Sequence, residues 1–333
     1  MKAIVYRDSQ LPISDPQALY ELEMAKPTAT GRDLLVKINA ISVNPIDTKI
    51  RRNNQPDQPR VLGWDAVGEV VQVGEQVSLF SPGDKVYYAG SLVRPGTNAE
   101  FHLVDERIVA KSPSSCSDAQ AAALPLTALT AWELLFDRLS VDTGKEKTLL
   151  IIGAAGGVGS ILVQLASKLT KLRVIATASR PETAEWVQQL GADLVIDHSK
   201  PLTEELAGHG IQQVDYVASL THTDSHYPQI VELLAPQGKL GLIDDPKTLD
   251  ALPLKRKAIS LHWELMFTRS LFETEDMIRQ HEILSQVAKL VDEGVLTTTL
   301  AEHYGNINAE NLRKAHAMIE SHKAKGKIVL EGF

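Results

Sequence analysis

The chain has 333 residues, of which 44% are hydrophobic and 23% charged, with a net charge of -8 and no basic block. This length exceeds one hydrophobic core and predicts two domains, and the acidic balance argues against nucleic acid as a partner. No apolar run approaches the length of a membrane span, and MKAIVYRDSQ is typical of a first strand rather than of a secretory signal. The single cysteine, Cys116, excludes an internal disulfide and favours a cytoplasmic protein with no membrane partner.

Short apolar runs broken by Gly, Pro and Asn make up the first third of the chain. They predict strands in LLVKINAISV, AVGEVVQVG, DKVYYAG and AEFHLVDERIVAKSP. From residue 148 the pattern changes, because strand-like runs alternate with helical ones. We expect strands in TLLII, RVIATA, DLVID, VDYVASL, KLGLID and AISLHWEL, with helices such as VGSILVQLASKL and YPQIVELLAP between them. This alternation predicts an α/β domain, a doubly wound parallel sheet covered on both faces.

Three further segments have predicted structures: the C-terminal tail, the helix after the strand RVIATA, and the polar segment THTDSH. From about Glu273 the tail contains a long helical pattern, MIRQHEILSQVAKLVDEG, and ends in the strand-like KIVLEGF. We expect it to pack against the first third, which would make the N-terminal domain discontinuous. In SRPETAEWVQQLG, Ser179 is the expected helix cap and Pro181 lies in the first turn. THTDSH is interpreted as a polar loop rather than as a metal site.

The segment IIGAAGGVGS, residues 151–160, follows a buried strand and opens an amphipathic helix. Glycines in this context allow a tight turn and let backbone N–H groups reach a pyrophosphate. Gly156 and Gly159 fill the last two glycine positions of the dinucleotide-binding pattern, and Ala154 replaces the first. A glycine-rich turn without a ligand is the alternative. We expect five residues of this loop to contact the cofactor: Ala155, Gly156, Gly157, Val158 and Gly159.

The end of the second Rossmann strand distinguishes NAD from NADP. An NAD site carries an acidic residue there, to bind the ribose 2′-hydroxyl. This chain has Ala178 instead, followed by Ser179 and Arg180. A hydroxyl and a guanidinium bind a 2′-phosphate, so we predict NADP(H). The alternative is that Arg180 is a solvated surface residue, although a positive charge is disfavoured at the start of a helix.

With these motifs in place, the chain resembles the medium-chain dehydrogenase/reductase superfamily. It is most similar to the quinone oxidoreductase-like branch, whose members are often labelled zinc-type alcohol dehydrogenase-like proteins. The stretches that carry the resemblance are VNPIDTKIRR, VLGWDAVGEVVQVG, GDKVYYAG, AALPLTALTAWELL, GAAGGVGSILVQLA, ATASRPETAEWVQQLGAD and GKIVLEGF. It implies a GroES-like β-barrel catalytic domain of residues 1–125 and 270–333 and a Rossmann NADP-binding domain of residues 126–269. It also implies a homodimer formed near AISLHWEL.

Relatives that use catalytic zinc hold it with Cys or His side chains at three places. This chain has Asn44, Trp64 and Leu126 at those places. An indole and an isobutyl group cannot bind zinc, and Asn44 with Asp65 supplies too few suitable ligands. The cysteine-rich structural zinc lobe is also missing, because the chain has one cysteine. We therefore expect a site without metal.

Four residues are candidates for catalysis. Trp64 either forms a flat apolar wall for a planar substrate or fills the space left by the metal. Asn44 either donates a hydrogen bond to a substrate carbonyl or is a turn residue before a proline. Asp65 is expected to order its loop, and Tyr88 is a further hydrogen-bond donor. By their positions in the family, Thr127 and Thr130 are expected to contact the nicotinamide half of the cofactor. Three further residues are also expected to contact the cofactor: Leu220, Ile243 and Lys327.

These observations predict an NADPH-dependent oxidoreductase that reduces quinones, enones or related activated carbonyl compounds by hydride transfer. Two alternatives remain. One is an NADP-dependent alcohol or carbonyl oxidoreductase on the same scaffold. The other is a non-catalytic NADPH-binding sensor or structural dimer, since the sequence contains no obvious acid or metal.

Overall fold

The computed structural model describes all residues from 1 to 333 and divides them into two compact units. Unit 1 consists of Met1–Leu129 and Phe267–Phe333, and unit 2 of Thr130–Met266. The strands are β1 Lys2–Tyr6, β2 Tyr20–Glu23, β3 Asp33–Val43, β4 Arg60–Val61, β5 Asp65–Val73, β6 Lys85–Tyr88, β7 Phe101–Asp105, β8 Val109–Lys111, β9 Thr148–Ile152, β10 Arg173–Thr177, β11 Leu194–Ile196, β12 Val214–Ser219, β13 Leu234–Leu242, β14 Ser260–Trp263, β15 Leu300–His303 and β16 Lys327–Glu331. The α-helices are α1 Pro45–Asn53, α2 Asp118–Ala122, α3 Pro125–Trp132, α4 Gly157–Leu169, α5 Pro181–Gln189, α6 Leu202–Gly208, α7 Thr223–Leu233, α8 Thr268–Phe272, α9 Arg279–Asp292 and α10 Ala309–Glu320.

Unit 1 is built from two sheets. The larger has the order β15-β16-β3-β5-β6-β8, with β7 also paired to β3, and the smaller has the order β2-β1-β4. The last strand of the chain, β16, pairs antiparallel with β3, so the C-terminal segment belongs to this unit. One strand prediction was wrong, because AEFHLVDERIVAKSP contains a 3₁₀ turn at Glu106–Ile108 between β7 and β8. The buried Glu106 carboxylate accepts hydrogen bonds from the N–H groups of Ser78 and Leu79, which holds this break in place.

Unit 2 contains a six-stranded, entirely parallel sheet with the order β11-β10-β9-β12-β13-β14. Counted from β9, this is the order 3-2-1-4-5-6 of dinucleotide-binding folds, and the winding direction reverses between β9 and β12. The central strand TLLII has four fully buried residues, as a strand covered on both faces requires. The predicted doubly wound sheet is therefore confirmed, and the reversal point lies beside the glycine loop.

Two helix starts differ from the sequence prediction. Ser179 does not cap α5, because the cap position is Arg180 and Ser179 lies exposed before it. THTDSH is not a loop, because α7 begins at Thr223 and includes His226. The Asp244 carboxylate accepts the backbone N–H of Thr223 at 2.9 Å and anchors this helix start from the end of β13. A cap supplied by a distant residue leaves no local signature in the sequence.

One apolar helical segment is longer than the sequence analysis recognised. Asp118–Arg138 spans 21 residues, and its most apolar window of 18 residues has a mean hydropathy of 1.2, which meets the length and composition of a membrane span. However, 83% of its most apolar window is buried inside the protein. The segment contains α2 and α3 and is accounted for as core helical structure, whose apolar side chains are covered by the protein itself.

Candidate active site

The glycine loop of unit 2 begins with a residue that sequence reasoning missed. Gly153 has a φ of +82°, and a Cβ there would lie 2.8 Å from Thr221 Cγ2. Its N–H donates to the Thr177 hydroxyl at 3.1 Å, which ties the turn to the neighbouring strand β10. Gly153 therefore makes the tight turn that the sequence analysis had sought at Ala154. Ala154 is fully buried beneath the turn.

The later glycines have different roles. A Cβ on Gly159 would lie 2.4–2.6 Å from backbone atoms of Ala154, so glycine is required there for α4 to pack closely on β9. Gly156 has an ordinary φ of -73°, and its Cβ would meet only the Gly153 carbonyl oxygen, at 3.5 Å. The fold itself does not require glycine at 156. The open space lies at the N-terminus of α4, where backbone N–H groups can bind a pyrophosphate. Three further loop residues are also partly exposed: Ala155, Gly157 and Val158.

The carboxyl ends of neighbouring strands present their polar groups at the same edge of the sheet. After β10, Ala178 is buried, Ser179 is exposed, and the Arg180 side chain is 42% exposed with its Nε 3.3 Å from Glu182. Two other expected cofactor residues, Leu220 and Ile243, directly follow β12 and β13 and are partly exposed. The edge therefore offers hydroxyl and guanidinium groups after β10 and no carboxylate at position 178.

His198 is a further group at this edge that the sequence analysis did not identify. It lies two residues after β11, and its Nδ1 is buried without a hydrogen-bond partner. Burial lowers the pKa of the His198 imidazole, Asp197 opposes this shift, and the nearby His222 and Arg180 lower the pKa further. Because β11 pairs in parallel with β10, His198 and Arg180 follow neighbouring strands at the same edge of the sheet.

In unit 1, the Asp65 carboxylate is the centre of a buried polar cluster. Its Oδ1 accepts the backbone N–H of Leu126 at 2.7 Å. Its Oδ2 accepts from Asn44 Nδ2 at 2.8 Å, from Lys327 Nζ at 3.1 Å and from Ser42 Oγ at 3.2 Å. The carboxylate thereby joins the end of β3, the start of α3 and the start of β16. Asp65 is expected to order its loop, and these bonds give that expectation a structural basis.

The Asn44 amide is held entirely within the protein. Its Nδ2 donates to Asp65 and, at 3.4 Å, to the Ser42 carbonyl, while its Oδ1 accepts from the Lys327 ammonium. Its backbone N–H donates to Asp47 Oδ2 at 2.8 Å at the start of α1. In this arrangement both amide N–H bonds are directed at protein acceptors, so a substrate carbonyl would have to displace one of them.

Lys327 was expected to contact the cofactor, and the structure places its ammonium in this cluster. Burial lowers the pKa of Lys327, and the Asp65 carboxylate opposes that shift. The neighbouring Asp47 carboxyl has a pKa raised to about 7 by burial, despite the lowering effects of the Asn44 N–H and Lys327. The sequence contains one hint of this role, since Lys327 directly precedes the apolar, strand-like run Ile328, Val329 and Leu330.

Trp64 is fully buried, and its indole makes defined contacts. Its Nε1 donates to the Ser91 carbonyl at 3.0 Å, and its ring packs edge-on against Phe267 with centroids 6.2 Å apart. Gly90 has a φ of +60°, and a Cβ there would lie 3.2 Å from the indole. Of the two interpretations, these contacts support the one in which Trp64 fills space, because no indole surface is exposed.

Three other predicted site residues are also buried. The Tyr88 hydroxyl bonds His102 Nδ1 at 3.0 Å, and burial raises its pKa well above the usual value. Thr127 hydrogen-bonds back to the Leu124 carbonyl at 3.1 Å, near the start of α3. Thr130 lies one turn further along α3. The structure therefore brings Asn44, Asp65 and Lys327 together, whereas Tyr88 belongs to a separate buried pair.

The residues in this region do not fit a catalytic zinc ion. Zinc in such sites takes three protein ligands from Cys, His and carboxylate side chains. No group of three or more His, Cys, Asp and Glu residues is arranged to hold a metal anywhere in the chain. The positively charged Lys327 ammonium also bonds directly to Asn44 and Asp65, which are the polar groups nearest to a ligand set.

Comparison with known proteins agrees with this architecture. The zinc-binding dehydrogenase family matches residues 190–330, and the alcohol dehydrogenase GroES-like domain matches residues 30–114. A zinc-type alcohol dehydrogenase-like protein of Staphylococcus aureus is 43% identical over 92% of this chain and 93% of its own length. A chloroplastic quinone-oxidoreductase homolog of Spinacia oleracea is 33% identical over 94% of each chain.

Two solved structures extend the comparison. A protein of Rhizobium etli, provisionally described as a zinc-dependent alcohol dehydrogenase, has a TM-score of 0.97 and 55% identity, over 100% of this chain and 98% of its own. The Escherichia coli quinone oxidoreductase in complex with NADPH has a TM-score of 0.85 and 25% identity, over 99% of this chain and 100% of its own. The predicted fold class, a GroES-like domain with a Rossmann parallel sheet, is confirmed, and a nicotinamide cofactor is supported. The chain is an oxidoreductase that belongs to the medium-chain dehydrogenase/reductase superfamily, in its quinone oxidoreductase-like branch.

Proposed function

We propose that this protein is an NADPH-dependent reductase of quinones, enones or related activated carbonyl compounds, and that it works without a metal. The single observation that carries the proposal is the replacement of all three zinc-ligand positions by Asn44, Trp64 and Leu126, with Asn44 and Leu126 both bonded to the Asp65 carboxylate. The same chain also carries the dinucleotide-binding glycine loop in unit 2. The chain therefore has the means to bind a hydride donor and lacks a Lewis acid.

The choice of NADPH rests on the end of β10. Ala178 leaves no carboxylate to repel a 2′-phosphate, and Ser179 and Arg180 supply a hydroxyl and a guanidinium. His198 adds an imidazole at the same edge, after the neighbouring strand β11. Two structural neighbours are described as complexes with NADPH, the E. coli quinone oxidoreductase and a mycobacterial protein that is 27% identical.

The metal-free site favours substrates that stabilise their own negative charge. Zinc would stabilise the oxyanion that forms when a simple carbonyl is reduced. An enone or quinone instead spreads this charge over a conjugated system, so the requirement for a strong electrophile is lower. One relative, 38% identical over 56% of this chain, is a 2-methylene-furan-3-one reductase of Solanum lycopersicum, which is named for a conjugated substrate.

When bound at the glycine loop, the nicotinamide supplies the hydride. Backbone N–H groups at the N-terminus of α4 hold the pyrophosphate, and Arg180 holds the 2′-phosphate. The buried Tyr88 hydroxyl is paired with His102 and the Asn44 amide donates to Asp65, so neither is positioned to donate a proton to the enolate without rearrangement. We therefore assign protonation of the resulting enolate to water.

We also propose that the protein is a homodimer in the cytoplasm. The edge strand β14 pairs only with β13 and presents Trp263, which is 51% exposed, followed by Leu265 at 48%. An exposed apolar edge strand is prone to pair with another strand. A second copy of the same strand would cover this edge. The single cysteine is consistent with a reducing compartment.

The experiment that tests the function is a turnover assay. Purified protein is mixed with NADPH and a panel of enones, quinones, saturated aldehydes and saturated ketones, and NADPH absorbance is followed. We expect consumption with the conjugated compounds and little with the saturated ones. Preference for saturated aldehydes or ketones would favour a carbonyl oxidoreductase, and binding of NADPH without any consumption would favour a sensor.

A further inference from the structure

Two of the three positions that hold zinc in metal-dependent relatives, Asn44 and Leu126, are cross-linked here by the carboxylate of the residue next to the third. Asp65, the neighbour of Trp64 in the chain, bonds the Asn44 side chain through Oδ2 and the Leu126 backbone N–H through Oδ1. The side chain of Asp65 is fully buried. A buried, multiply bonded carboxylate of this kind requires a compensating positive charge, because burying an isolated charge is costly.

That charge is the ammonium of Lys327, which begins the last strand of the fold. An ammonium has three N–H donors and no acceptor. Lys327 Nζ meets three oxygen atoms, the Val43 carbonyl at 3.1 Å, Asp65 Oδ2 at 3.1 Å and Asn44 Oδ1. Its side chain is 3% exposed. The ammonium is therefore fully coordinated by protein oxygens, as a bound cation would be.

This cation connects chain segments that a bound metal would otherwise connect. It bonds Asn44 directly, and it reaches Leu126 through Asp65, which follows Trp64 in the chain. A divalent cation and an ammonium cannot share this set of oxygen atoms, because their charges repel at such short range. In a cluster that holds the ammonium, the oxygen atoms are therefore already occupied and the positive charge repels zinc.

We propose that the Lys327 ammonium takes the place of the catalytic zinc as the cation that connects Asn44 with Asp65 and, through Asp65, with Leu126, and that Lys327 is a positioning residue. It acts through Asp65, which holds the Leu126 N–H at the start of α3 and thereby fixes the adjacent Thr127. The effect on catalysis rests on the proposed reductase function. The cross-link and the exclusion of zinc do not depend on that function.

The test uses the full-length protein with substitutions at the ion pair. Lys327→Met removes the charge and all three donors, and Lys327→Gln removes the charge but keeps an N–H donor. Asp65→Asn and the double variant Lys327→Met/Asp65→Asn complete a double-mutant cycle. Lys37→Met is the matched control, because Lys37 is an exposed lysine on β3.

Thermal unfolding and zinc content are the first readouts, and neither depends on activity. Loss of one partner of a buried pair should lower Tm by roughly 6–15 °C in Lys327→Met, with Lys37→Met unchanged. The double variant should melt above Lys327→Met, since it leaves no unpaired charge. The unmodified protein, equilibrated with zinc chloride and dialysed, should retain well under one zinc per chain.

Steady-state kinetics are measured with NADPH and an enone that the parent protein reduces. They distinguish a positioning role from a purely structural role, which would leave the kinetics of folded enzyme unchanged. For enzyme that remains folded, Lys327→Gln should lower kcat about tenfold or more, with the KM for NADPH changed less than about twofold. A Tm for Lys327→Met equal to that of the control, strict additivity in the double variant, or one zinc bound per chain would each overturn the proposal. Folded Lys327→Gln with an unchanged kcat would overturn the positioning role. If the parent protein is inactive but the melting temperatures of the Lys327 and Asp65 variants are non-additive, only the reductase function is refuted.

Discussion

The Lys327 ammonium and the Asp65 carboxylate lie 3.1 Å apart, 262 residues apart in the chain, and both side chains are buried. This pair connects the last strand of the protein to the segment that contains Trp64. It gives a physical reason why the family scaffold persists here without the zinc ligands of its metal-dependent members. The residual polar groups of the site satisfy one another.

Arg180→Ala should weaken NADPH binding about ten- to a hundredfold and leave NADH binding nearly unchanged. A charge-assisted hydrogen bond contributes about 1.5–3 kcal/mol, which corresponds to that range. Fluorescence titration with each cofactor measures the effect. Arg173→Ala is the matched control, because Arg173 is exposed at the opposite end of the same strand. Equal affinity of the unmodified protein for NADH and NADPH would contradict the cofactor assignment.

Substitutions at Gly156 and Gly159 should separate binding from folding. Gly156→Val should keep its circular dichroism spectrum and lose NADPH binding, because the space at Gly156 is open and its φ is ordinary. Gly159→Ala should lower stability by about 1–3 kcal/mol, because its Cβ would meet the Ala154 backbone. Gly208→Ala, with nothing within 4 Å of its Cβ, is the control for both. A folded Gly156→Val protein that binds NADPH like the parent would place the cofactor elsewhere.

Stability should fall in mild acid because of His316. This side chain is fully buried, neither ring nitrogen has a hydrogen-bond partner, and burial, with a smaller effect of Arg51, lowers its pKa to about 3. An unfolded histidine has a pKa near 6.5, so the unfolded state binds the extra proton between these values. Stability is therefore unaffected above about pH 6.5 and decreases by about 1.4 kcal/mol for each pH unit below it.

Urea unfolding at pH 7.5 and pH 5.0 checks this prediction. The free energy of unfolding of His316→Leu should fall by about 2 kcal/mol less than that of the parent between these pH values, because leucine binds no proton in either state. His209→Leu is the control, since His209 is exposed. Identical pH sensitivity in the parent and His316→Leu would show that His316 does not contribute to the acid loss. Burial also lowers the pKa of His102 to about 4, so His102 should contribute to the loss of stability in acid in both proteins.

The proposed dimer makes its own prediction. Trp263→Lys places a charge on the exposed edge of β14 and should shift the protein from dimer to monomer in sedimentation analysis. Phe272→Lys is the control, because Phe272 is 75% exposed and lies outside this strand. A parent protein that sediments as a monomer, or a Trp263→Lys dimer as tight as the parent, would contradict the assignment.

The parts of the fold that depend on local sequence could be predicted. TLLII is one strand from Thr148 to Ile152, because an unbroken apolar run must be covered on both faces. The glycine loop follows it at the switch point of the sheet, as its motif predicted. The missed turn residue, Gly153, was also within reach, because it lies directly after this strand.

The remaining features depend on contacts between distant residues. The start of α7 is anchored by Asp244, which lies 21 residues away, so the local sequence THTDSH resembles a loop. Likewise, the position of Lys327 follows from the antiparallel pairing of β16 with β3, which brings it beside Asn44. Neither partner could be identified from the spacing of residues along the chain.

The central claim is metal-independent reduction with NADPH, and the rate of NADPH oxidation in the presence of a strong chelator tests it most directly. Protein is exhaustively dialysed against the chelator, its zinc content is measured, and the rate is recorded with an enone that the untreated protein reduces. We expect the same kcat before and after treatment, with zinc far below one per chain in both samples. Loss of activity together with loss of stoichiometric zinc, and recovery of activity when zinc is added back, would contradict the account.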